Sequence, residues 1–378
     1  MSAPRAWTAS VSEFRVTRRV PDLPELEELF GLSEMPLCET DVSLELRGVP
    51  TAVVNGIRRA ITDEITGYAF KVPADGFRAD QTTDVFMLPQ FVNERIEMVP
   101  LQQLAAAQAA AAGLKFELHA RNTTEAPLTV YAGDLRTVAQ AGGASYTYKG
   151  ALFNPTIELA VLQPGKSLVI EDITVVGGRG HAMFQVANVG CYTHLDLPQY
   201  SADEMRLPTG AAADLSGYKE SCLVADPRWH ELRFTLQATD AAGARPLALA
   251  ALSAAASTIR ARLRLIVAAV EGGDSFGHGP KGIGALAGAA QYSALTLESG
   301  LSEGVVRAPG ETHTVGELLR RAVYDTHPDV SAAVYSVSGH EKTLTVRAAG
   351  DVGAIIVEAA NMADATLEDI LRAIVALG

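Results

Sequence analysis

Cysteine is scarce: the 378 residues hold three, Cys38, Cys191 and Cys222, far apart and never as C-x-x-C. That leaves no basis for a disulfide framework or a zinc ribbon, and it fits a reducing compartment. None of the eight histidines sits in H-E-x-x-H or a ligand-like cluster, so no metal and no cofactor is expected. Long apolar runs are missing too. The longest stretch, Leu247 to Val270, is broken by Arg260, Arg262 and Arg264 and does not read as a membrane span. The N-terminus, MSAPRAWTASVSEFRVTRRV, lacks the apolar centre of a signal peptide. Excess positive charge is absent as well. With 31 Lys and Arg against 44 Asp and Glu, the net charge is −13, which argues against specific nucleic-acid binding by the chain itself.

What is present is a 48% hydrophobic, 20% charged chain, long enough for two or three modest domains and too apolar for wholesale disorder. Val42, Leu44 and Leu46 alternate across 42–47, a strand. After Pro50, the residues Val53, Val54, Ile57, Ile61 and Ile65 recur at helical spacing, with Arg58, Arg59, Asp63 and Glu64 filling the other side. A second unit of this kind lies near the C-terminus. A strand closes at Val305 and Val306, a turn spans 308–314, and Val315, Leu318, Leu319, Ala322 and Val323 form a stripe that ends before Pro328. Ile57-Arg58-Arg59-Ala60-Ile61 lies over Leu319-Arg320-Arg321-Ala322-Val323. This match alone leaves open a duplicated module or two ordinary amphipathic helices.

Between the units, short strands are expected at 114–118, 128–131, 157–162, 168–176, 183–189 and 232–236. A long helix follows from about Pro246 to Val270. Its stripe Leu252, Ala256, Ile259, Leu263, Ile266, Val270 is a coiled-coil-like seam that needs a partner helix. Residues 272–290, rich in Gly and Ala, read as a linker spanning roughly 25 Å. Further strands are expected at 292–298, 332–337 and 344–347. The closing helix begins near Thr366 as N-cap, with Leu367, Ile370, Leu371 and Ile374 as its face. Residues 352–360 are equally readable as strand or helix.

Three motifs point to catalysis or nucleotide binding and fail on context. Gly300-Leu301-Ser302-Glu303-Gly304 matches a nucleophile elbow, but strand-like Val305-Val306-Arg307 follows where a helix is required. Pro164-Gly165-Lys166-Ser167 ends like a phosphate loop, but Ala160 stands where the first glycine belongs and a strand follows. The Gly-rich stretches at 177–180 and 279–284 lack the strand–turn–helix setting of a dinucleotide site.

The segment Asn55-Gly56-Ile57-Arg58-Arg59-Ala60-Ile61-Thr62-Asp63-Glu64-Ile65 resembles the first helix of the alpha-like subunits of RNA polymerase, with Thr66 in place of the usual proline. Phe91-Val92-Asn93-Glu94-Arg95-Ile96-Glu97-Met98-Val99-Pro100-Leu101 resembles that family's F-I-A-H-R-L-G-L-I-P-L. Asp134-Leu135 and Gly180-His181-Ala182 also fit the larger alpha-like subunit. His313-Thr314-Val315-Gly316, Asp329-Val330 and Ala333-Val334-Tyr335-Ser336-Val337 resemble the small partner. Together these motifs extend over most of 38–375, and the joining of the two subunits in one chain looks like large DNA viruses.

The resemblance implies an α+β fold of two alpha-type dimerisation modules paired within one chain, with an inserted β-rich domain. The larger module would comprise 1–74 and 201–271, the insert 75–200, the linker 272–290 and the small module 291–378. It implies a non-catalytic assembly subunit of a viral DNA-directed RNA polymerase. Expected partners are the second-largest, largest and small polymerase subunits, without membrane association. Asn55, Arg58, Arg59 and Arg95 would meet the second-largest subunit. Ile57, Ile61, Leu263, Ile266, Leu318, Leu319, Ile370 and Ile374 would carry the intramolecular pairing. The setting would be intracellular, in the host cytoplasm at the viral factory, with the virion and host nucleus also open. Many larger subunits carry a cysteine-bearing metal loop in the inserted domain, and this chain lacks one. The alternatives are a serine hydrolase using Ser302 and an unrelated viral structural protein.

Overall fold

A computed structural model describes residues 7–19, 37–74, 89–138, 152–195, 227–271, 296–297, 303–307, 313–330, 332–338, 341–347 and 351–377. The expected linker, Ser302 and Cys222 lie outside these residues. The fold is α+β.

The first sheet runs in the order β1 (Ser10–Arg19), β2 (Cys38–Arg47), β10 (Pro227–Ala238), β9 (Asn188–Leu195), all antiparallel. Register explains its apolar face. Leu232 lies opposite Leu44 and Phe234 opposite Val42, so one side of the sheet is a block of buried aliphatic and aromatic groups. Helix α1 (Thr51–Arg59) covers that face with Val53, Val54 and Ile57. It begins after Pro50, whose extended backbone supplies the cap position. A single π turn, Ala60–Glu64, closes it and buries Ile61.

The second sheet is antiparallel, in the order β3 (Gly67–Lys71), β8 (Ser167–Gly178), β4 (Lys115–Arg121), β6 (Leu135–Val138). A two-stranded ribbon, β5 (Leu128–Tyr131) with β7 (Glu158–Leu162), and the helices α2 (Pro89–Glu97) and α3 (Gln103–Ala111) complete this unit. Its core is separate: Phe70 packs edge-on against Phe116 and Phe153, with ring centroids 5.2 and 5.5 Å apart. The chain passes between the sheets at 65–66 and again at 179–187, whereas the sequence reading drew the boundaries at 74/75 and 200/201. Gly67 is required at the first crossing, because a Cβ there would lie 1.9 Å from the Phe184 carbonyl oxygen.

The third sheet runs β11 (Thr296–Leu297), β12 (Glu303–Arg307), β14 (Glu341–Arg347), β13 (Ala332–Ser338). With it go α5 (His313–Thr326) and α6 (Val352–Leu377), and the long α4 (Ala241–Glu271) packs along α6. The first and third sheets with α1, α4, α5 and α6 share one continuous apolar cluster.

Several expected boundaries move, each for a local reason. Helix α4 starts at Ala241, because Asp240 Oδ1 accepts from the Gly243 amide (2.6 Å) and caps it before Pro246. Residues 352–360 are helix. Asp351 Oδ1 takes the Ala354 amide, and Val352, Ile355, Ile356 and Ala359 fall on one helical face. Thr366 is thus no cap; it is buried mid-helix and donates to the Met362 carbonyl (2.9 Å). Residues 182–184 form a 3₁₀ turn, and the strand expected at 183–189 begins only at Asn188.

His230 is buried on β10, with Nε2 3.0 Å from the Val49 carbonyl and Nδ1 3.1 Å from Thr193 Oγ1. A carbonyl accepts only, so Nε2 carries the proton and the neutral ring satisfies both partners. Burial pushes its pKa below the ordinary imidazole value, outweighing the Val49 hydrogen bond. A depressed histidine stabilises the fold above its unfolded pKa of about 6.5, and that contribution is lost as pH falls through the folded value. Melting temperature is therefore expected to drop as pH is lowered from about 7 through 6, and His230→Gln to flatten that limb; an identical slope in the variant would remove His230 as its cause.

Candidate functional site

The expected interface residues fall into two groups. Asn55 is exposed on α1, and Arg58 and Arg59 beside it are half-buried. Arg58 Nε donates to Asn55 Oδ1 (3.0 Å), and its backbone carbonyl accepts from Thr62 Oγ1. Arg59 Nε is buried and has no acceptor among the described residues, which normally costs about 1–3 kcal/mol. Burial pushes the Cys191 thiol on β9 up, and the charge of Arg58 opposes this. Arg95 stands on α2, on the surface of the second core, where Nη1 donates to the Leu159 carbonyl at 3.3 Å. Large apolar side chains stand exposed on α2, just past its end and on α3, and the sequence pattern does not single them out. Phe91, Met98 and Leu104 are 56, 48 and 62% exposed; Phe91 and Met98, seven residues apart, share a helical face. Their place inside a polymerase-like motif was the available signal, but a hydrophobic motif alone reads as core.

The matching pair in the C-terminal unit is closed internally. Arg320 Nε donates to Glu317 Oε2 (2.8 Å), and its guanidinium lies 5.8 Å from the centre of the Tyr324 ring. Arg321 Nε donates to Asp325 Oδ2 (2.9 Å), and Trp7 Nε1 donates to the same oxygen at 2.9 Å.

The eight residues expected to carry intramolecular pairing are all buried in the one large cluster: Ile57, Ile61, Leu263, Ile266, Leu318, Leu319, Ile370 and Ile374. Helices α1, α4 and α5 converge at Gly56, where a Cβ would lie 3.5 Å from the Thr314 carbonyl oxygen and 3.9 Å from Ile259 Cδ1. Glu64, read from sequence as facing out, faces in. Seven residues past Ile57, two helical turns, it returns to the buried side. Its side chain is only 4% exposed; Oε2 accepts from Arg262 Nη1 and Oε1 from Thr314 Oγ1, both at 2.8 Å.

Among the described residues, no group of three or more His, Cys, Asp or Glu could hold a metal ion, and no helix is long and apolar enough to cross a membrane.

Two helix-and-sheet units sharing one core, with an arginine pair open on one unit and closed on the other, define an α+β protein built around interhelical and surface contacts. No family model matches the chain. It is 31% identical over 323 residues to the DNA-directed RNA polymerase RPB3-11 homologue of African swine fever virus, in both the Kenyan pig isolate and the Vero-adapted Badajoz strain. The alignment covers 85% of this chain and 82% of each relative. The chain belongs to this family of RPB3-11 homologues, non-catalytic subunits of a viral DNA-directed RNA polymerase.

Removing one partner from a buried charge pair strands the other, at about 3–5 kcal/mol. Glu64→Ala is expected to lower the unfolding free energy by about that amount in chemical denaturation, while Glu64→Leu with Arg262→Leu recovers most of the loss. Equal destabilisation of the single and double variants would show that the pair itself is not what matters.

Proposed function

We propose that this chain is the assembly platform on which a viral DNA-directed RNA polymerase is built, with no catalytic role of its own. In this reading the larger alpha-like module (1–74 with 201–271) pairs with the small one (291–378) across α1, α4, α5 and α6. The insert at 75–200 and the linker at 272–290 complete the chain. Sheet membership favours a tighter insert, because β3 belongs to the second sheet and β9 to the first. Phosphoryl transfer would belong to the two largest subunits. The second-largest subunit would dock on Asn55, Arg58 and Arg59, with Arg95 and its apolar neighbours as a second contact, and the largest and small subunits would join the same assembly. Assembly would take place inside the host cell.

The observation that carries this reading is the difference between the two arginine pairs. Arg320 and Arg321 have carboxylate partners within their own helix, whereas among the described residues Arg59 Nε has no acceptor and the Arg58 side chain donates to the uncharged Asn55. The partly exposed remainder of the Arg58 and Arg59 side chains, with no carboxylate of their own helix bonded to them among the described residues, suits a partner's carboxylate or carbonyl. The hydrolase and structural-protein alternatives have no support among the relatives.

Arg58→Ala with Arg59→Ala is expected to leave melting of the isolated chain nearly unchanged, because both lie off the apolar stripe and removing Arg59 also removes a buried donor that has no acceptor among the described residues, which offsets the packing lost. The same variant is expected to weaken capture of the second-largest subunit by about 2 kcal/mol or more. Collapse of melting with normal capture by the folded remainder would make the arginines structural and end this assignment.

A further inference from the structure

Apolar seams do not choose partners. The α4 seam, Leu252, Ala256, Ile259, Leu263 and Ile266, and the α6 seam, Ile356, Ala363, Leu367, Ile370 and Ile374, are both buried aliphatic stripes. By burial alone either would suit a copy of itself as well as the other. The ion cluster beside the seam differs. Arg260 grips Asp364 with two nitrogens, Nε to Oδ1 at 2.8 Å and Nη2 to Oδ2 at 3.2 Å, and also reaches Glu368 Oε2 at 2.7 Å. Arg264 adds Nε and Nη2 to Asp364 Oδ2 at 3.3 and 3.2 Å. The central pair is well shielded, with Arg260 and Asp364 side chains 14 and 18% exposed. Burial pushes the Asp364 carboxyl up, but hydrogen bonds and charge from Arg260 and Arg264 hold it below the ordinary carboxylate range.

The helices run antiparallel. Arg245 reaches the Leu377 carbonyl at one end, Arg260 meets Asp364 in the middle, and Val270 Cγ1 lies 3.4 Å from a Cβ placed on Gly353 at the other. In an antiparallel α4–α4 pair on the same seam, Arg260 and Arg264 would face each other. In an α6–α6 pair, Asp364, Glu368 and Asp369 would do so. Both arrangements set like charges beside a partly desolvated seam.

We propose that Arg260, Arg264, Asp364 and Glu368 are the partner-selection residues of this chain: they commit α4 to an acidic antiparallel helix of the α6 kind and reject self-pairing of either helix. The inference rests on the α4–α6 pairing within the proposed platform and deepens it, since it names what keeps the modules matched to each other rather than to copies of themselves.

The test uses two full-length chains. One carries Arg260→Glu and Arg264→Glu, so both of its seams are flanked by acid. The other carries Asp364→Arg and Glu368→Arg, so both are basic. Alone, each is expected to melt at least about 5 °C below the parent. Co-expressed, the two are expected to form a 1:1 heterodimer by light scattering, each α4 on the other chain's α6, with melting recovered. One chain carrying all four changes guards against simple misfolding and is expected to melt near the parent. Destabilised variants that give no heterodimer, or a four-fold variant that stays destabilised, overturn the selection role while leaving the pairing intact. If both charge-reversed chains melt like the parent, the pairing itself falls with it.

Discussion

A carboxylate shut inside an apolar cluster has to be neutralised by whatever packs on it, and Glu64 sits where three helices meet. It ends the π turn that closes α1, and its two oxygens are taken by Arg262 of α4 and Thr314 at the start of α5. Replacing α4 with a purely apolar surface would take away the charge that answers Glu64, at several kilocalories per mole, and replacing α5 would take away the hydroxyl that satisfies Oε1. The apolar stripes supply the bulk of the attraction, because each fully buried aliphatic side chain contributes about 1.5–3 kcal/mol. Yet they tolerate sliding and exchange. The polar node tolerates neither, and it ties the end of the α1 segment, which follows β2, to α5 of the C-terminal unit. Through that node the C-terminal unit is seated on the first sheet.

The internal match between residues 57–61 and 319–323 acquires meaning from this geometry. Both segments lie on helices buried in the same cluster, yet their arginine pairs have diverged. In the C-terminal copy the guanidinium groups are answered by Glu317 and Asp325, and Trp7 reaches across to share the Asp325 oxygen. The N-terminal copy has Asn55 where the other has Glu317 and Asp63 where the other has Asp325; Asn55 carries no charge, and Asp63 lies exposed on the π turn after α1, while Arg59 Nε has no acceptor among the described residues. Two related helices thus present opposite surfaces, one self-satisfied and one carrying an unanswered donor. In the proposed platform this difference would make the scaffold directional: the C-terminal face is closed by its own carboxylates and by Trp7, and the N-terminal face would be the one to receive a partner.

Much of this was legible in the sequence. The alternation Val42, Leu44, Leu46 and the stripe from Val53 to Ile61 appear as β2 and α1, because strict periods of two and about 3.6 leave few other folds for the chain. The seam of α4 announced a partner helix. The partner was half-hidden, because residues 352–360 carry apolar groups dense enough for strand or helix, and only the Asp351 cap and continuity with 367–374 decide it. Strands β1 and β3 escaped notice for a different reason. One mixes Arg and Ser among its apolar residues, and the other is five residues long with a glycine at its start. Long-range pairing places both, and no local signal contains that. The site was legible as chemistry but not as geometry: Arg58 and Arg59 could be named, but their difference from Arg320 and Arg321 depends on carboxylates whose reach only the fold reveals.

The second core raises the question of why the chain leaves the first sheet at all. From β3 to β8 it builds a unit with its own aromatic centre, Phe70, Phe116 and Phe153, and returns to give β9. Such an excursion keeps the first sheet intact only if both crossings are tight. Gly67 and Gly178 meet that demand, since a Cβ at either would collide with Phe184, at the backbone oxygen for one and the ring for the other. Phe184 is therefore the pivot on which the two units are set against each other, held by residues with no side chain to spare. The joint is closely packed at Phe184, between Arg59 on the first unit and Arg95 with Phe91 and Met98 on the second. In the proposed assembly, two contacts set at one spacing would bind a large partner better than either alone, because the second would form without further loss of translational freedom.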